Sequence, residues 1–162
     1  MGFAGDVVED QLVEFLRSKR GQSESPATNW QAKKEAWIQS IGSLYKQVED
    51  MLKDSIASGD VTLRTEDMEI TEDFVGTYSI PRLELTVSGE RVEFRPMGAT
   101  VIGATGRVNI RGERDVVTLL RDDEGAESKW IMIIQRVPNL SKASLDKKTL
   151  KYALERVMLP LH

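Results

Sequence analysis

Hydrophobic residues near the start of the chain recur every three or four positions, which is the spacing of an amphipathic helix. Between residues 6 and 18 they are Val8, Leu12, Phe15 and Leu16. This spacing predicts a short helix over residues 6–18, with Asp6 as its N-cap. Residues 19–29 are polar and include glycine, proline and serine, so they predict a loop.

A longer stripe of hydrophobic residues predicts a second helix, over residues 30–58. Thr28 or Asn29 is the expected N-cap, and Gly59 supplies the expected stop. The stripe consists of Trp30, Trp37, Ile41, Leu44, Val48, Met51, Leu52 and Ile56. Packing against the chain's own sheet is favoured over a coiled coil, because the pattern covers about three heptads and tryptophan is uncommon at coiled-coil seams. A homodimer or larger structural oligomer built on this stripe is the alternative.

Beyond Gly59 the hydrophobic period changes to two, which predicts a sheet over residues 61–136 whose strands bury one face. The alternating segments are 61–63, 68–70, 83–87, 92–94 and 108–110. Residues 116–120 and 130–134 are apolar on both faces, which predicts the central strands of the sheet. The acidic, glycine-containing residues 122–125 predict the turn between these two strands.

The turn near Gly89 can be predicted from the charges that would face each other across the hairpin. A two-residue loop would place Glu84 opposite Glu93, with like charges facing each other. A four-residue loop over residues 88–91 places Glu84 opposite Arg95 and Thr86 opposite Glu93. Directly facing opposite charges stabilise a hairpin by roughly 0.2–1 kcal/mol, so the four-residue loop is predicted.

The end of the chain predicts a C-terminal helix over residues 145–158, capped by Ser144 or Asp146 and ended by Pro160. The expected fold is therefore a single α+β domain spanning residues 1–162. N-terminal helices precede a strongly twisted antiparallel meander of about six or seven strands, and a helix closes the chain. A rolled, partly closed sheet with a capping helix, as in pleckstrin-homology domains, is the alternative.

Composition excludes several kinds of chemistry. The 162 residues include no cysteine and one histidine, His162, so disulfides, thiolate nucleophiles, histidine-based triads and Cys/His metal clusters are not expected. A net charge of −4 argues against nucleic acid as a partner. No apolar run reaches the roughly 18 residues of a membrane span, and the start lacks a secretory signal pattern, so a cytoplasmic protein is expected. No cofactor is expected either.

Carboxylates offer two candidate metal sites. Asp67 and Glu69 could share a strand face and bind Mg²⁺ through oxygen, although an acidic strand edge is the favoured interpretation. Glu127 and Lys129 match the acid-x-Lys element of metal-dependent nucleases, with Asp115 or Asp122 as the upstream acid. A nuclease-like enzyme is therefore an alternative function. The match consists of a three-residue pattern beside a turn, which is a weak motif.

Residues 98–106 form a glycine-rich tract that could cradle an anion with backbone amides. A phosphate-binding loop normally opens a helix, whereas this tract continues into the predicted strand at 108–110. Turns and bulges of a bent sheet are therefore the favoured interpretation.

Arginine provides the strongest functional indication. Residues 61–140 contain nine arginines and one lysine, and arginine's planar fork suits carboxylates and phosphates. By alternation Arg82, Arg91, Arg95, Arg107 and Arg111 face away from the core, together with Glu84, Glu93 and Asn109. An internally compensated Arg/Glu lattice on a solvated face is the favoured interpretation of this pattern, over a surface that binds a ligand or partner. The functional hypothesis is a non-catalytic binding or accessory protein that recognises a protein or small anionic ligand through Arg82, Arg95, Arg107 and Arg111.

Three stretches together resemble a family of small bacterial proteins with no assigned function. They are residues 76–83, from Gly76 to Leu83, residues 96–108, from Pro96 to Val108, and residues 130–133, beginning at Trp130. With the helix from Trp30 the resemblance covers most of the chain. It implies a helix followed by a sheet, and it carries no functional residue onto this sequence.

Overall fold

The structure is a computed structural model that describes residues 11–13, 15–16, 26–73, 76–99, 106–122, 129–135 and 141–160. Residues 11–13 and 15–16 are helical and belong to a helix that we call α1, as the hydrophobic spacing predicts. The other residues of the predicted 6–18 helix, and residues 19–25 of the predicted loop, lie outside the described residues.

The long predicted helix is present but begins earlier than predicted. Helix α2 spans Pro26–Met51, so residues 26–29 are helical, and the prediction of a loop ending at Asn29 is wrong. Proline is tolerated in the first helical turn because its missing N–H would have no partner there. Leu52 interrupts the helix before a short helix α3, Lys53–Ala57. Gly59, with φ of 84°, lies just beyond α3 in the left-handed conformation that commonly follows a helix.

Seven strands form one antiparallel sheet whose spatial order follows the chain from β1 to β7. The strands are β1 Val61–Glu72, β2 Gly76–Val87, β3 Glu90–Gly98, β4 Arg107–Arg111, β5 Val116–Asp122, β6 Lys129–Gln135 and β7 Ser141–Ser144. The sheet of the described residues is not closed into a barrel, because its first and last strands are its two edges. The α+β meander is confirmed, whereas the rolled pleckstrin-homology-like alternative is not observed.

The sheet differs from the predicted segments in three places. Segments 61–63 and 68–70 are parts of one strand, β1, which pairs with β2 without a break. Strand β7 extends the sheet to Ser144, past the predicted limit of 136; its sequence has no apolar alternation, so its place depends on backbone pairing with β6. β5 and β6 are interior strands, but the centre of the order is β4. The predicted turn at 122–125 lies mostly outside the described residues.

The predicted four-residue loop after β2 is wrong. Val87 pairs with Glu90, which leaves a two-residue turn of Ser88 and Gly89 and sets Glu84 opposite Glu93. Both turn residues have positive φ, 51° and 81°, as the turns that match the twist of a hairpin require.

The C-terminal helix α4 spans Lys147–Val157, slightly shorter than the predicted 145–158, and Asp146, one of the two predicted caps, is its N-cap. The carboxylate of Asp146 accepts the amide of Thr149 at 2.8 Å, and the Thr149 hydroxyl accepts the amide of Asp146 at 2.9 Å. These reciprocal bonds satisfy two amides that the first helical turn leaves without partners.

One face of the sheet forms the core. The stripe of α2 is buried there, with Trp37, Ile41, Leu44 and Val48 completely inaccessible. Buried residues of α4 belong to the same cluster, so both helices cover the same face. The middle of the stripe is thus covered by the chain's own sheet, while Met51, Leu52 and Ile56 are partly buried against the same cluster. We call the opposite face of the sheet the outer face.

Burial changes side along the β1–β2 ribbon. On β2, the odd-numbered residues Leu83 and Leu85 are buried on the core face. Toward the start of β2, the even-numbered residues Tyr78 and Ile80 are buried instead. The pairing of the strands continues through this change, so the twist of a long two-stranded ribbon accounts for it. Glu72 secures this end: it accepts the Tyr78 hydroxyl and, at 2.9 Å, the amide of Ala99. Burial raises the pKa of the Tyr78 hydroxyl, and the hydrogen bond to Glu72 and the negative charge of Glu72 raise it further.

Candidate functional site

The outer face of β1–β4 carries more arginine than glutamate. Directly paired residues of antiparallel strands share a face, so the strand register defines this set. It contains six arginines and three glutamates: Arg64, Glu66, Arg82, Glu84, Arg91, Glu93, Arg95, Arg107 and Arg111, with Asn109 among them. Asp67 and Glu69 also lie on this face, beyond the point where burial changes side along β1, so five acids stand against six arginines. The excess of positive charge is therefore on β3 and β4.

The β1–β2 side of the outer face is internally compensated. Arg82 donates to Glu66 at 2.9 Å and also to Glu93, and its side chain is 24% exposed. Arg82 lowers the pKa of the Glu66 carboxyl, first through this hydrogen bond and then through its charge. Arg64 and Arg91 lie 3.6 and 3.7 Å from Glu84. This part of the face is an Arg/Glu lattice.

The β3–β4 side has a different composition. Arg95 lies directly opposite Asn109, and Arg107 and Arg111 lie two residues to either side of Asn109 on β4. Diagonal neighbours on adjacent strands are about 7–8 Å apart, within reach of long side chains. The three arginines therefore surround Asn109, and we call this group the arginine triangle.

Acceptors are few around the triangle. Arg95 has one carboxylate nearby, Glu93, at 3.7 Å, and that carboxylate also binds Arg82. Arg107 donates to the neutral Oδ1 of Asn109 at 3.2 Å. Within the described part of the chain, the exposed side chain of Arg111 makes no ion pair or hydrogen bond. The triangle thus holds more positive charge than its neighbours neutralise.

Asn109 contributes donors to the same place. Its Oδ1 accepts from Arg107 Nε and, at 3.2 Å, from the hydroxyl of Thr118, which is buried on the adjacent strand β5. Because arginine can only donate, this geometry assigns the oxygen to Arg107 and leaves the amide nitrogen facing elsewhere. That nitrogen makes no hydrogen bond to any residue the structure describes. The site therefore offers guanidinium and amide donors, the complement of a carboxylate or phosphate.

The structure brings together three of the four predicted arginines and assigns the fourth to another role. Arg95, Arg107 and Arg111 form the triangle, whereas Arg82 is held between two glutamates. Sequence reasoning placed Asn109 on this face but missed Thr118. The signal was present, because Thr118 is the polar member of the otherwise apolar run 116–120.

Asp67 and Glu69 share a face of β1 and Asp122 faces Lys129, but these residues form no larger group of ligands within the described part of the chain. Asp67 and Glu69 are both exposed on β1, and the described residues contain no group of three potential ligands. Asp115 precedes β5 and is bound to Arg156 at 2.7 Å, while Lys129 pairs with the last residue of β5. A seven-residue strand separates Asp115 from Lys129 by roughly 20 Å. Asp122, the other candidate acid, faces Lys129 across the strands; Glu127 lies outside the described residues.

The ends of the glycine-rich tract have packing roles. A β-bulge lies between Pro96 and Gly98, as the tract predicts. A Cβ at Gly98 would lie 2.7 Å from the Glu72 carboxylate, and one at Gly106 would lie 2.3 Å from the ring of Trp37. The buried ring of Trp37 therefore requires glycine at position 106, whereas at position 98 the backbone φ of 139° is what favours glycine, since the Glu72 carboxylate could move. Residues 100–105 lie outside the described residues.

Comparison with protein-family models, with curated proteins and with solved structures finds no match to this chain. The resemblance to a family of small bacterial proteins gains no support from these comparisons. Among the described helices, none has both the length and the hydropathy needed to span a bilayer.

Proposed function

We propose that this protein is a non-catalytic binding or accessory protein that recognises an anionic group, on a small ligand or on a partner protein, through the arginine triangle. The observation that carries the proposal is the excess of hydrogen-bond donors over carboxylates around Asn109. Three arginines and an amide occupy neighbouring positions of β3 and β4, and the nearby carboxylate of Glu93 is shared with Arg82. Guanidinium groups bind carboxylates and phosphates through paired hydrogen bonds, so such a surface favours planar or tetrahedral oxyanions.

The adjacent lattice supports recognition by holding Glu93, the carboxylate that lies beside Arg95. Arg82 and Glu66 fix Glu93 and the β1–β2 side of the face, and β3 and β4 are interior strands of the sheet. A rigid strand scaffold limits the side-chain entropy lost on binding. The face therefore combines a fixed neutral part with a cationic part that remains available to a ligand.

The experiment measures retention on immobilised heparin, used as a polyanionic probe, as a function of salt. A triple variant, Arg95→Ala/Arg107→Ala/Arg111→Ala, is compared with Lys147→Ala/Lys148→Ala/Lys151→Ala, which removes the same total charge from α4. We expect wild type and the lysine variant to elute at similar salt and the arginine variant to elute much earlier, because short-range contacts depend on position. Equal losses in the two variants would mean that net charge governs binding, and the proposal would fail.

A further inference from the structure

An apolar groove opens between α4 and the end of α2, on the side of the sheet opposite the arginine triangle. Its volume is about 470 Å³, within the range of roughly 300–1,000 Å³ that is typical of small-molecule sites. Its walls include Met51 and Leu52 at the end of α2, Val87 on β2, and Leu150 and Leu154 on α4. These side chains are aliphatic or thioether groups, so the groove suits an apolar ligand.

The groove follows one stripe of α4. Its lining residues on this helix fall three or four positions apart, from Lys147 at the first position to Met158 just beyond the last. At a rise of about 1.5 Å per residue, this stripe is roughly 16 Å long. An extended alkyl chain of about twelve carbons has a similar length, since carbon–carbon bonds are about 1.5 Å long. The groove can therefore accommodate the full length of one such chain.

The two ends of the groove differ in charge. At the start of α4, Lys147 is exposed and makes no ion pair with any residue that the structure describes. Lys151 lies 3.3 Å from Glu155, so these two charges offset each other. At the opposite end the amide of Leu159 donates to the carboxylate of Glu90 at 2.6 Å. A ligand carboxylate would therefore be attracted to Lys147, and its apolar chain would extend toward Leu159.

Lys148, the next residue of α4, has different surroundings. It is exposed like Lys147 but does not line the groove. The carboxylate of Asp146 caps α4, and its pKa is lowered first by the hydrogen bond from the Thr149 amide and also by the charge of Lys148. The two adjacent lysines therefore form a matched pair, of which Lys147 alone faces the groove.

We propose that the groove binds a single-chain amphipathic carboxylate of the fatty-acid class, with its carboxylate at Lys147 and its alkyl chain along α4. One unpaired cation beside apolar walls complements a ligand that has one anionic end and an apolar body. The inference uses residues that the proposed anion site does not use, so either proposal can fail without the other.

Isothermal titration calorimetry with dodecanoate, below the concentration at which it forms micelles, tests the proposal. We expect wild type to bind dodecanoate saturably and about tenfold more tightly than dodecyltrimethylammonium, which has the same alkyl chain and the opposite charge. Hexanoate, which has a shorter chain, should bind more weakly than dodecanoate because it buries less apolar area. Absence of saturable dodecanoate binding, or equal affinity for the two ligands of opposite charge, would overturn the proposal.

Variants of the lining residues locate the site. Lys147→Ala should weaken dodecanoate binding severalfold, and Lys148→Ala should leave it unchanged. Leu159→Asp, which places a carboxylate where the alkyl chain ends, should weaken binding by about tenfold or more. Leu159 is 53% exposed, so this variant should keep the wild-type melting temperature. Equal affinities of the two lysine variants, or unchanged affinity in Leu159→Asp, would contradict the proposal.

The variant Arg95→Ala/Arg107→Ala/Arg111→Ala separates this proposal from the anion site. It should bind dodecanoate as wild type does. Loss of dodecanoate binding in this variant, with binding retained in Leu159→Asp, would place the carboxylate at the arginine triangle, and the groove proposal would fail. A wild-type dimer in light scattering that Leu159→Asp dissociates, without any dodecanoate binding, would identify a second copy as the occupant and would also overturn it.

Discussion

Glu84 and Glu93 face each other directly across β2 and β3, and the arginines around them form ion pairs with both. Arg64 and Arg91 approach Glu84, while Arg82 and Arg95 approach Glu93. The like charges therefore face each other within a network of opposite charge. The two-residue turn forces this register. The surrounding arginines make the electrostatic repulsion between Glu84 and Glu93 smaller than the facing pair alone would give.

The turn residues themselves are open to a stability test. Ser88 has φ of 51°, where asparagine is better tolerated than serine, and Gly89 has φ of 81°. We expect Ser88→Asn to stabilise the protein, because Asn-Gly is a preferred two-residue turn, and Gly89→Ala to destabilise it by about 1–2 kcal/mol. Urea denaturation measures both. If Gly89→Ala were neutral, the two-residue turn would not be the turn that forms.

The Arg82 network predicts a specific pH dependence. Since Arg82 lowers the pKa of Glu66 in the folded state, this pairing stabilises the fold above the ordinary glutamate pKa of about 4.3, and the stabilisation is lost as pH falls through the lowered value. The loss of stability in Arg82→Ala should therefore be greater at neutral pH than at about pH 2.5.

Lys142→Ala is the control for this experiment, since Lys142 is exposed on β7 and has no ion pair within the described residues. It should change stability little at either pH. Urea midpoints at the two pH values give the comparison. An Arg82→Ala deficit that does not change with pH would show that the side chain acts through packing and not through charge.

Two glycines differ in the space around them and predict opposite effects of a methyl group. A Cβ at Gly112 would lie 2.2 Å from the backbone oxygen of Val157 in α4, whereas nothing lies within 4 Å at Gly42 in α2. Gly112→Ala should displace the end of α4 and destabilise the fold by about 1–3 kcal/mol. Gly42→Ala should stabilise it by roughly 0.5–1 kcal/mol, because alanine favours helix. Thermal melts measure the change in stability of both variants. If the two changes had the same sign, α4 would not pack against Gly112 as described.

The α2 stripe predicts a loss of stability when it is truncated. Leu44 is completely buried, so Leu44→Ala should cost about 2–5 kcal/mol. The neighbouring exposed Ser43 gives the control, and Ser43→Ala should change stability by less than about 0.5 kcal/mol. A small effect at Leu44, accompanied by a change of oligomeric state, would instead favour a stripe that binds another chain.

The spacing of the hydrophobic residues predicted the main architecture, because each helix or strand must bury side chains at its own regular interval. The α2 stripe, the strands around Leu85 and Phe94, and the start of α4 at Asp146 were all available from spacing and capping residues. The start of α2 at Pro26 was missed because proline was interpreted as part of a loop, although it is well suited to a first helical turn.

Features that depend on contacts distant in sequence could not be predicted in the same way. Glu84 is approached by Arg64, which belongs to another strand, so the facing pairs of the β2–β3 hairpin alone do not include all of the compensating charge. β7 has no apolar pattern of its own. The arginine residues were visible in the sequence, but the division between paired Arg82 and the triangle around Asn109 required the pairing of four strands.

The central claim, that the arginine triangle is an anion-binding site, is tested most directly by NMR titration with inorganic pyrophosphate. The signals to follow are the side-chain Nε–Hε resonances of the arginines and the amide group of Asn109. The account predicts saturable shifts at Arg95, Arg107, Arg111 and Asn109, with Arg64 and Arg82 unaffected because glutamates already bind them. Equal shifts at all exposed arginines, or no shifts at the triangle, would contradict it.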